Sequence, residues 1–425
     1  MLRVNVTAEL VEVTLTARAA FSKRSWPFVL PTAIPWLLCA GQRSISRIAA
    51  MGGLSRSASA YYRFLSDGKW RLPVLFRCLL QLIVTTFGLR ELTLVLDDTL
   101  CPKWGRAIYG TGNFFDHVRR PRAGYIWGHN WLVLGVVVRA SQRVSVALPF
   151  WIGLYRPKES CAPGQFRTRH EMAVGALKIV RALFPGPIRL LADGAYANSS
   201  LIGPLSELEI ELVSRLRSDA VLYSPKPPRR AKGARGRKPT HGRALGKLGS
   251  LSRSDSAFHE QKVEIYGKRV TLLVREIEAY WPALKRVIQV VITRDPKRPR
   301  RVAYLVSTDL RLGAKEIIES FAQRWTIEQL FNVAKNQMGL DSAEVRKERA
   351  VVRHATLCMA LITWTEVWAY RTQSSSWARP FAHKLASLRA ETITTTIFAS
   401  GPRTRGSLEI ALGVGALFTS ATKVG

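Results

Sequence analysis

Two runs of this chain are apolar enough to belong inside a sheet, and both stop at aspartate. Glu91-Leu-Thr-Leu-Val-Leu leads into Asp97-Asp98, and Ile188-Arg-Leu-Leu-Ala leads into Asp193. Short runs of this kind, bounded by polar residues, read as buried strands. Residues 131–138 and 144–151 have the same character and read as sheet neighbours, followed by a helix at about 169–183. A chain built this way is α/β. Carboxylates at strand ends in a mixed sheet stand at its rim, where ligands bind.

A third carboxylate comes from a helix. Phe321-Ala-Gln-Arg-Trp-Thr-Ile-Glu-Gln-Leu-Phe-Asn-Val-Ala-Lys335 lies within a helical stretch at 314–338. At roughly 100° per residue, Phe321, Arg324, Glu328 and Lys335 fall near about 0°, 300°, 340° and 320°, which is one narrow stripe. Ile327, Leu330 and Phe331 flank it, so the helix can dock on a core and still present its charges. A single aspartate after a strand is ordinarily a turn or cap residue, and spacing alone does not unite the three acids. Their joint occurrence with cations on one stripe suits a phosphate backbone bridged by metal. Hard carboxylate oxygens hold Mg²⁺ or Mn²⁺ with positions left for water and phosphate, and a pair of such ions serves both oxygens of a phosphodiester cleavage.

The charge balance names the phosphate polymer. With 64 Lys and Arg against 30 Asp and Glu, the 425-residue chain carries +34 while remaining 47% hydrophobic. That combination describes a folded protein with a polyanionic partner, a nucleic acid, rather than a disordered basic tail. A membrane role finds little support. Glu9 and Glu12 precede any apolar run, Pro27, Pro31 and Pro35 interrupt 27–41, and the apolar stretch 355–370 is short and contains Glu366. Cys39, Cys78, Cys101, Cys161 and Cys358 are scattered, with no close pair to hold zinc or suggest a disulfide framework, which points to the reducing cytoplasm.

Up to residue 88 the pattern is helical. Residues 42–65 read as two short helices joined at Gly52-Gly53, the second starting at a cap such as Ser55 and carrying Arg56, Tyr61, Tyr62 and Arg63. A helix-turn-helix DNA reader is one interpretation and a plain basic hairpin the other. Residues 200–310 change character. A Pro- and Gly-rich stretch at 226–247 holds nine Lys or Arg and no acid, either as a solvated loop or as an arm that orders on DNA. Strand-like runs follow at 263–265, 269–275, 287–293 and 302–307, and helix returns at 350–370.

Taken together, these residues resemble the DDE transposases of bacterial insertion sequences, in the branch with a Tyr-Arg-Glu-Lys signature. That signature is Tyr, two residues, Arg, three, Glu, six, Lys; here it stands as Phe321, Arg324, Glu328 and Lys335, with Phe in place of Tyr. Leu-Asp-Asp-Thr, Ala-Asp-Gly-Ala-Tyr and Arg-Trp-Thr-Ile-Glu are also similar to the family's motifs and stand in its order. The resemblance covers about 40–370. It implies an RNase H-like catalytic core interrupted by a mostly β insertion, with an α-helical N-terminal DNA-binding region. The expected division is 1–88 helical DNA-binding region, 89–200 first part of the core, 201–310 insertion with basic loop, 311–372 second part with the catalytic helix, and 373–425 C-terminal region.

By the same resemblance, Asp97, Asp193 and Glu328 hold Mg²⁺ or Mn²⁺, with Asp98 the alternative to Asp97. Asp97 is preferred because it directly follows the apolar run. The implied reaction is hydrolysis that frees a 3′ hydroxyl at the element's end, then attack of that hydroxyl on target DNA, with double-stranded DNA (element ends and target) as the implied partner and a homodimer expected on it. Arg324 and Lys335 are expected to position the phosphate. Lys103, Arg119 and Arg120, near Trp104, Tyr125 and Trp127, are candidates to hold a phosphate or a splayed base, and Arg229, Arg230, Arg235, Arg237 and Lys238 of the basic stretch to bind DNA. His129 and His170 are not required as bases. A non-cleaving, sequence-specific DNA-binding protein derived from a transposase is the alternative reading.

Overall fold

The computed structural model describes the chain except for residues 1, 6–7, 40, 42, 52–56, 117–123, 142, 226–239, 255–256, 374–376, 399–408 and 413–425. Its centre is a twelve-stranded sheet. Numbered in chain order within that sheet, the strands of the first half are β1 (Leu92–Pro102), β2 (Gly112–Phe115), β3 (Tyr125–Arg139), β4 (Ser145–Tyr155), β5 (Ile188–Ala192) and β6 (Ile210–Arg215). β4, β3 and β1 form an antiparallel meander, and β5 and β6 add to β1 in parallel, giving the order β4-β3-β1-β5-β6. This mixed sheet is consistent with the RNase H-like core expected from the sequence.

The apolar run at 91–97 does not stop at its acids. β1 continues to Pro102 because its antiparallel partner β3 keeps pairing with it, from Leu94↔Val136 to Pro102↔Gly128. On the other side, the parallel pairing with β5 ends at Leu96↔Ala192. Asp97 therefore lies inside a strand but at the point where one neighbour stops. Asp193 is the first residue past β5.

The second half of the sheet is antiparallel. β7 (Val221–Tyr223), β8 (Ala244–Lys247), β9 (His259–Ile265), β10 (Lys268–Trp281), β11 (Arg286–Asp295) and β12 (Arg298–Ser307) lie between the Asp193 strand and the Glu328 helix in sequence. β12 pairs with β6, so these strands extend the central sheet. β6 itself lies beyond the expected boundary at 200, yet it pairs in parallel with β5.

Helices cover the sheet. Arg169–Leu183 begins with a capping box, in which Thr168 Oγ1 accepts from Glu171 N–H and Glu171 accepts from Thr168 N–H at 2.7 Å. Before the sheet come Ala8–Leu15, Val29–Leu38, Ile45–Met51, Ala58–Ser66 and Leu72–Phe87. The 42–65 pair thus forms two helices, and the expected Gly52-Gly53 joint and Ser55 cap lie outside the described residues. Tyr61 is buried and Arg63 exposed. Glu348–Thr372 is buried almost throughout and packs on β4. Its Glu366 accepts from Lys384 Nζ at 2.6 Å and from Trp377 Nε1 at 2.9 Å, which satisfies the charge that interrupts the apolar stretch. Among the described residues no helix is long and apolar enough to cross a membrane.

The far end of the β1–β3 ladder leaves no room for a side chain at Gly128. A Cβ there would stand 2.3 Å from the carbonyl oxygen of Cys101. Gly128→Ala is expected to cost about 2 kcal/mol, the usual scale of overpacking, read as a lower urea midpoint with an unchanged slope. An unaltered midpoint would show that this end of the ladder is loose.

Candidate active site

Continuing the β1–β5 register by one residue sets Asp97 beside Asp193, on neighbouring strands about 4.8 Å apart and on the same face of the sheet. Glu328 reaches that face from Thr326–Asn332, a helix that packs on β4 and β1. Between the acids lies Arg324. Its Nη1 donates to Asp97 Oδ2 at 2.9 Å and its Nη2 to Glu328 Oε1 at 2.7 Å, with the guanidinium side chain 15% exposed. Burial pushes the Asp97 carboxyl up to about 7, an effect that Arg324 opposes and that Asp98 and Asp193 reinforce.

Asp98 points to the other face. Tyr196 O–H donates to its Oδ1 at 2.9 Å and Asn130 Nδ2 to its Oδ2 at 3.0 Å, while Arg169 Nε stands 3.7 Å away. Alternation along a strand separates the two aspartates: Asp97 shares a face with Arg324 and Glu328, and Asp98 belongs to a polar network. The sequence reading did not single out Asn130, Tyr196 and Arg169 as partners. Tyr196 stood within Ala-Asp-Gly-Ala-Tyr, yet nothing in one sequence says that its hydroxyl crosses to β1.

The helix of the charged stripe is irregular. Ala314–Gln323 passes through Arg324 and Trp325 with i→i+3 bonds, such as Arg324 N–H to Phe321 O, before Thr326–Asn332 resumes. Val333–Gln337 is then a π-helical turn. Overwinding followed by underwinding changes where Lys335 falls relative to a regular helix, though Arg324 and Glu328 keep their i, i+4 contact. Lys335 is half-buried and acts electrostatically on Cys101. Phe321, which replaces the signature Tyr, packs on the core with the Arg324 guanidinium 5.8 Å from its ring centroid.

Lys103 departs from its expected place on a DNA-facing surface. It is 7% exposed, and its Nζ donates to the backbone carbonyls of Asp341 at 2.6 Å and Ala343 at 3.3 Å. Two of its three ammonium donors go to those carbonyls and the side chain is buried, so it is not presented to a phosphate. Arg119, Arg120, Arg229, Arg230, Arg235, Arg237 and Lys238 lie outside the described residues. His129 bonds Tyr109 O through Nε2, and burial pulls its pKa down to about 4. His170 faces Asn198 and Ala195.

With this geometry in place, comparison with known proteins is decisive for the family. A family model described as DDE superfamily endonuclease matches residues 21–271, more than half of the chain. The chain belongs to that family. The match takes in Asp97, Asp98 and Asp193 and ends before Glu328. A relative named "Probable transposase for insertion sequence element IS701", from Microchaete diplosiphon, is 24% identical over 181 residues. The matched stretch is 42% of this chain and 45% of that protein, so it spans less than half of the relative's length.

DDE superfamily endonucleases generally use divalent metal ions. The donors here suit such an ion: three carboxylates, one of them desolvated enough to need a cation. As the side chains stand, no three His, Cys, Asp or Glu among the described residues form a group able to hold an ion. The guanidinium of Arg324 lies between two of the acids.

That arrangement has a measurable consequence. Arg324→Ala leaves partly buried carboxylates without their counter-charge, and stability should fall by roughly 2 kcal/mol once their partial exposure is allowed for. Adding Asp97→Asn removes the desolvated charge and should restore much of the loss. Urea midpoints measured in EDTA at fixed ionic strength check this; equal midpoints for the single and double variants would sink it.

Proposed function

We propose that this protein is a DNA transposase of the branch carrying the Tyr-Arg-Glu-Lys signature, which cleaves the ends of an insertion sequence and transfers them into target DNA. The observation that carries the reading is the Asp97–Arg324–Glu328 contact, which joins residues 227 positions apart in a chain of the DDE endonuclease family. Under this reading Asp97, Asp193 and Glu328 are the catalytic acids and would hold Mg²⁺ or Mn²⁺. When bound, such an ion supplies Lewis-acid activation of the attacking oxygen and charge neutralisation at the leaving one.

The chain's own residues do the positioning. A phosphate entering the site competes with Asp97 and Glu328 for the Arg324 guanidinium, and Lys335 adds a second cation from the π-helical turn. In the first displacement water attacks phosphorus and the 3′ oxygen of the element leaves as a hydroxyl. In the second, that hydroxyl attacks a target phosphodiester, the new ester bond replaces the old one, and a target 3′ oxygen leaves. No covalent link to protein is needed.

The remaining parts of the reading follow the same logic. Residues 1–88 form the DNA-binding region, 89–200 and 311–372 the two parts of the core, with β6 added to the first, the rest of 201–310 the insertion, and 373–425 the C-terminal region. The basic stretch expected at 226–247 holds the DNA backbone through the part before residue 244, since 244–247 form β8 of the sheet. Because two element ends must be joined, the working species is a homodimer on DNA, in the cytoplasm of a bacterial cell.

Alanine at Asp97, Asp193 or Glu328 should abolish metal-dependent nicking of end DNA while leaving binding nearly intact, since carboxylates repel phosphate. An Asp193→Ala protein that nicks at the normal rate overturns the assignment, and wild-type protein that binds ends but never nicks leaves the non-cleaving reading. Removing Arg324 or Lys335 should lower the salt dependence of binding by about one phosphate contact each. Deleting 226–239, which spares β8, should reduce paired-end complexes more than single-end binding.

A further inference from the structure

Trp104 is 99% exposed. Scattered surface hydrophobes are ordinary, but this indole stands on a stiff turn. On one side of it, Lys103 is nailed down by Asp341 O, Ala343 O and a bond from its own N–H to Trp127 O at 3.0 Å. On the other, Gly105 O accepts from Trp127 Nε1 at 3.2 Å. The nearby end of β3 adds Tyr125, 74% exposed and edge-on to Phe115 with ring centroids 5.8 Å apart. A rigid backbone that holds a large flat ring wholly in water has prepared a stacking face at little further entropic cost.

The charges beside it are mostly positive. Trp104 lines a cleft of about 680 Å³ with Arg106, Glu344 and Arg346. Arg106 is exposed and stands 5.9 Å from the Trp127 ring, and Arg346, Lys347 and Arg349 are exposed on the facing segment. Asp341 lines the same cleft as Glu344, and Glu348 just beyond it accepts from Tyr109 O–H at 2.8 Å. Aromatic faces flanked by guanidinium groups hold single-stranded nucleic acid by stacking and backbone attraction.

We propose that the Trp104 turn is a stacking platform for an unpaired nucleobase at a DNA end, with Arg106 and Arg346 on the adjoining phosphates. The proposal deepens the transposase reading and rests on it for the source of the DNA. It also gives the buried Lys103 a role: that side chain braces the platform instead of touching DNA.

The test uses the full chain in EDTA, so that binding is read without cleavage. The probe is a duplex with a short 3′ overhang carrying 2-aminopurine, compared with the same sequence fully paired. Wild-type protein should quench the overhang probe. Trp104→Ala should lose the quench and bind the overhang about tenfold more weakly, the lower part of the range for one stacked base, with paired duplex bound as before; Trp104→Phe should retain part of both signals. Equal binding of the overhang by Trp104→Ala and wild type, or equal weakening on both DNAs, overturns the platform. So does a change in sedimentation of the DNA-free Trp104→Ala protein, which would make the ring a contact between copies. Overhang binding through Trp104 with no nicking on added Mg²⁺ keeps the platform and defeats the transposase reading; nicking without any Trp104 dependence does the reverse.

Discussion

Two carboxylates that cannot both be comfortable without a cation hold the centre of this molecule together. Asp97 comes from the strand that anchors the sheet and Glu328 from a helix 231 residues later, and the Arg324 guanidinium joins them. Burial alone would drive Asp97 towards its neutral form, as its elevated pKa shows. A fixed guanidinium offsets that cost and fixes the separation of the acids at the same time. The helix must therefore be delivered to the right place on the sheet. β12 does this by pairing with β6 and then leading into Ala314–Gln323, which packs on β6, β9 and β12. The long antiparallel excursion between Asp193 and Glu328 returns the chain to the sheet it left.

The irregular winding of the charged helix belongs to the same constraint. Phe321, Ile327, Leu330 and Phe331 bind the segment to the core, while Arg324 and Glu328 must face Asp97. A tight turn at Arg324 and Trp325 and a wide one at Val333–Gln337 let one segment meet apolar and ionic demands that a uniform helix meets less well. Mid-helix departures of this kind concentrate at functional sites because only strong local interactions maintain them.

What the sequence made legible was local. Residues 169–183 form the helix that their pattern describes, and the strand-like runs from 263 to 307 lie within β9 to β12. The i, i+4 spacing of Arg324 and Glu328 was readable because it needs only one helical turn. Less legible was anything set by a distant partner. The true end of β1 depends on how far β3 continues beside it, and the burial of Lys103 depends on carbonyls more than 230 residues away. The bond from Tyr196 to Asp98 runs from the turn after β5 to β1, which no spacing rule connects. A lysine next to an exposed tryptophan looks like a phosphate ligand until the fold buries it against backbone carbonyls.

A final tension concerns charge. The surface of a +34 protein attracts a polyanion, while a cluster of carboxylates repels it. Arg324 eases the conflict by pairing with both Asp97 and Glu328, which lowers the negative charge of the site. Asp97 and Glu328 share the Arg324 guanidinium on one face, whereas Asp98 accepts from Tyr196 and Asn130 on the other. Adjacent residues of one type fall into different work because a strand turns successive side chains to opposite faces. The division between Asp97, bonded to Arg324, and Asp98, bonded to Tyr196 and Asn130, is therefore set by the pleat of a single strand.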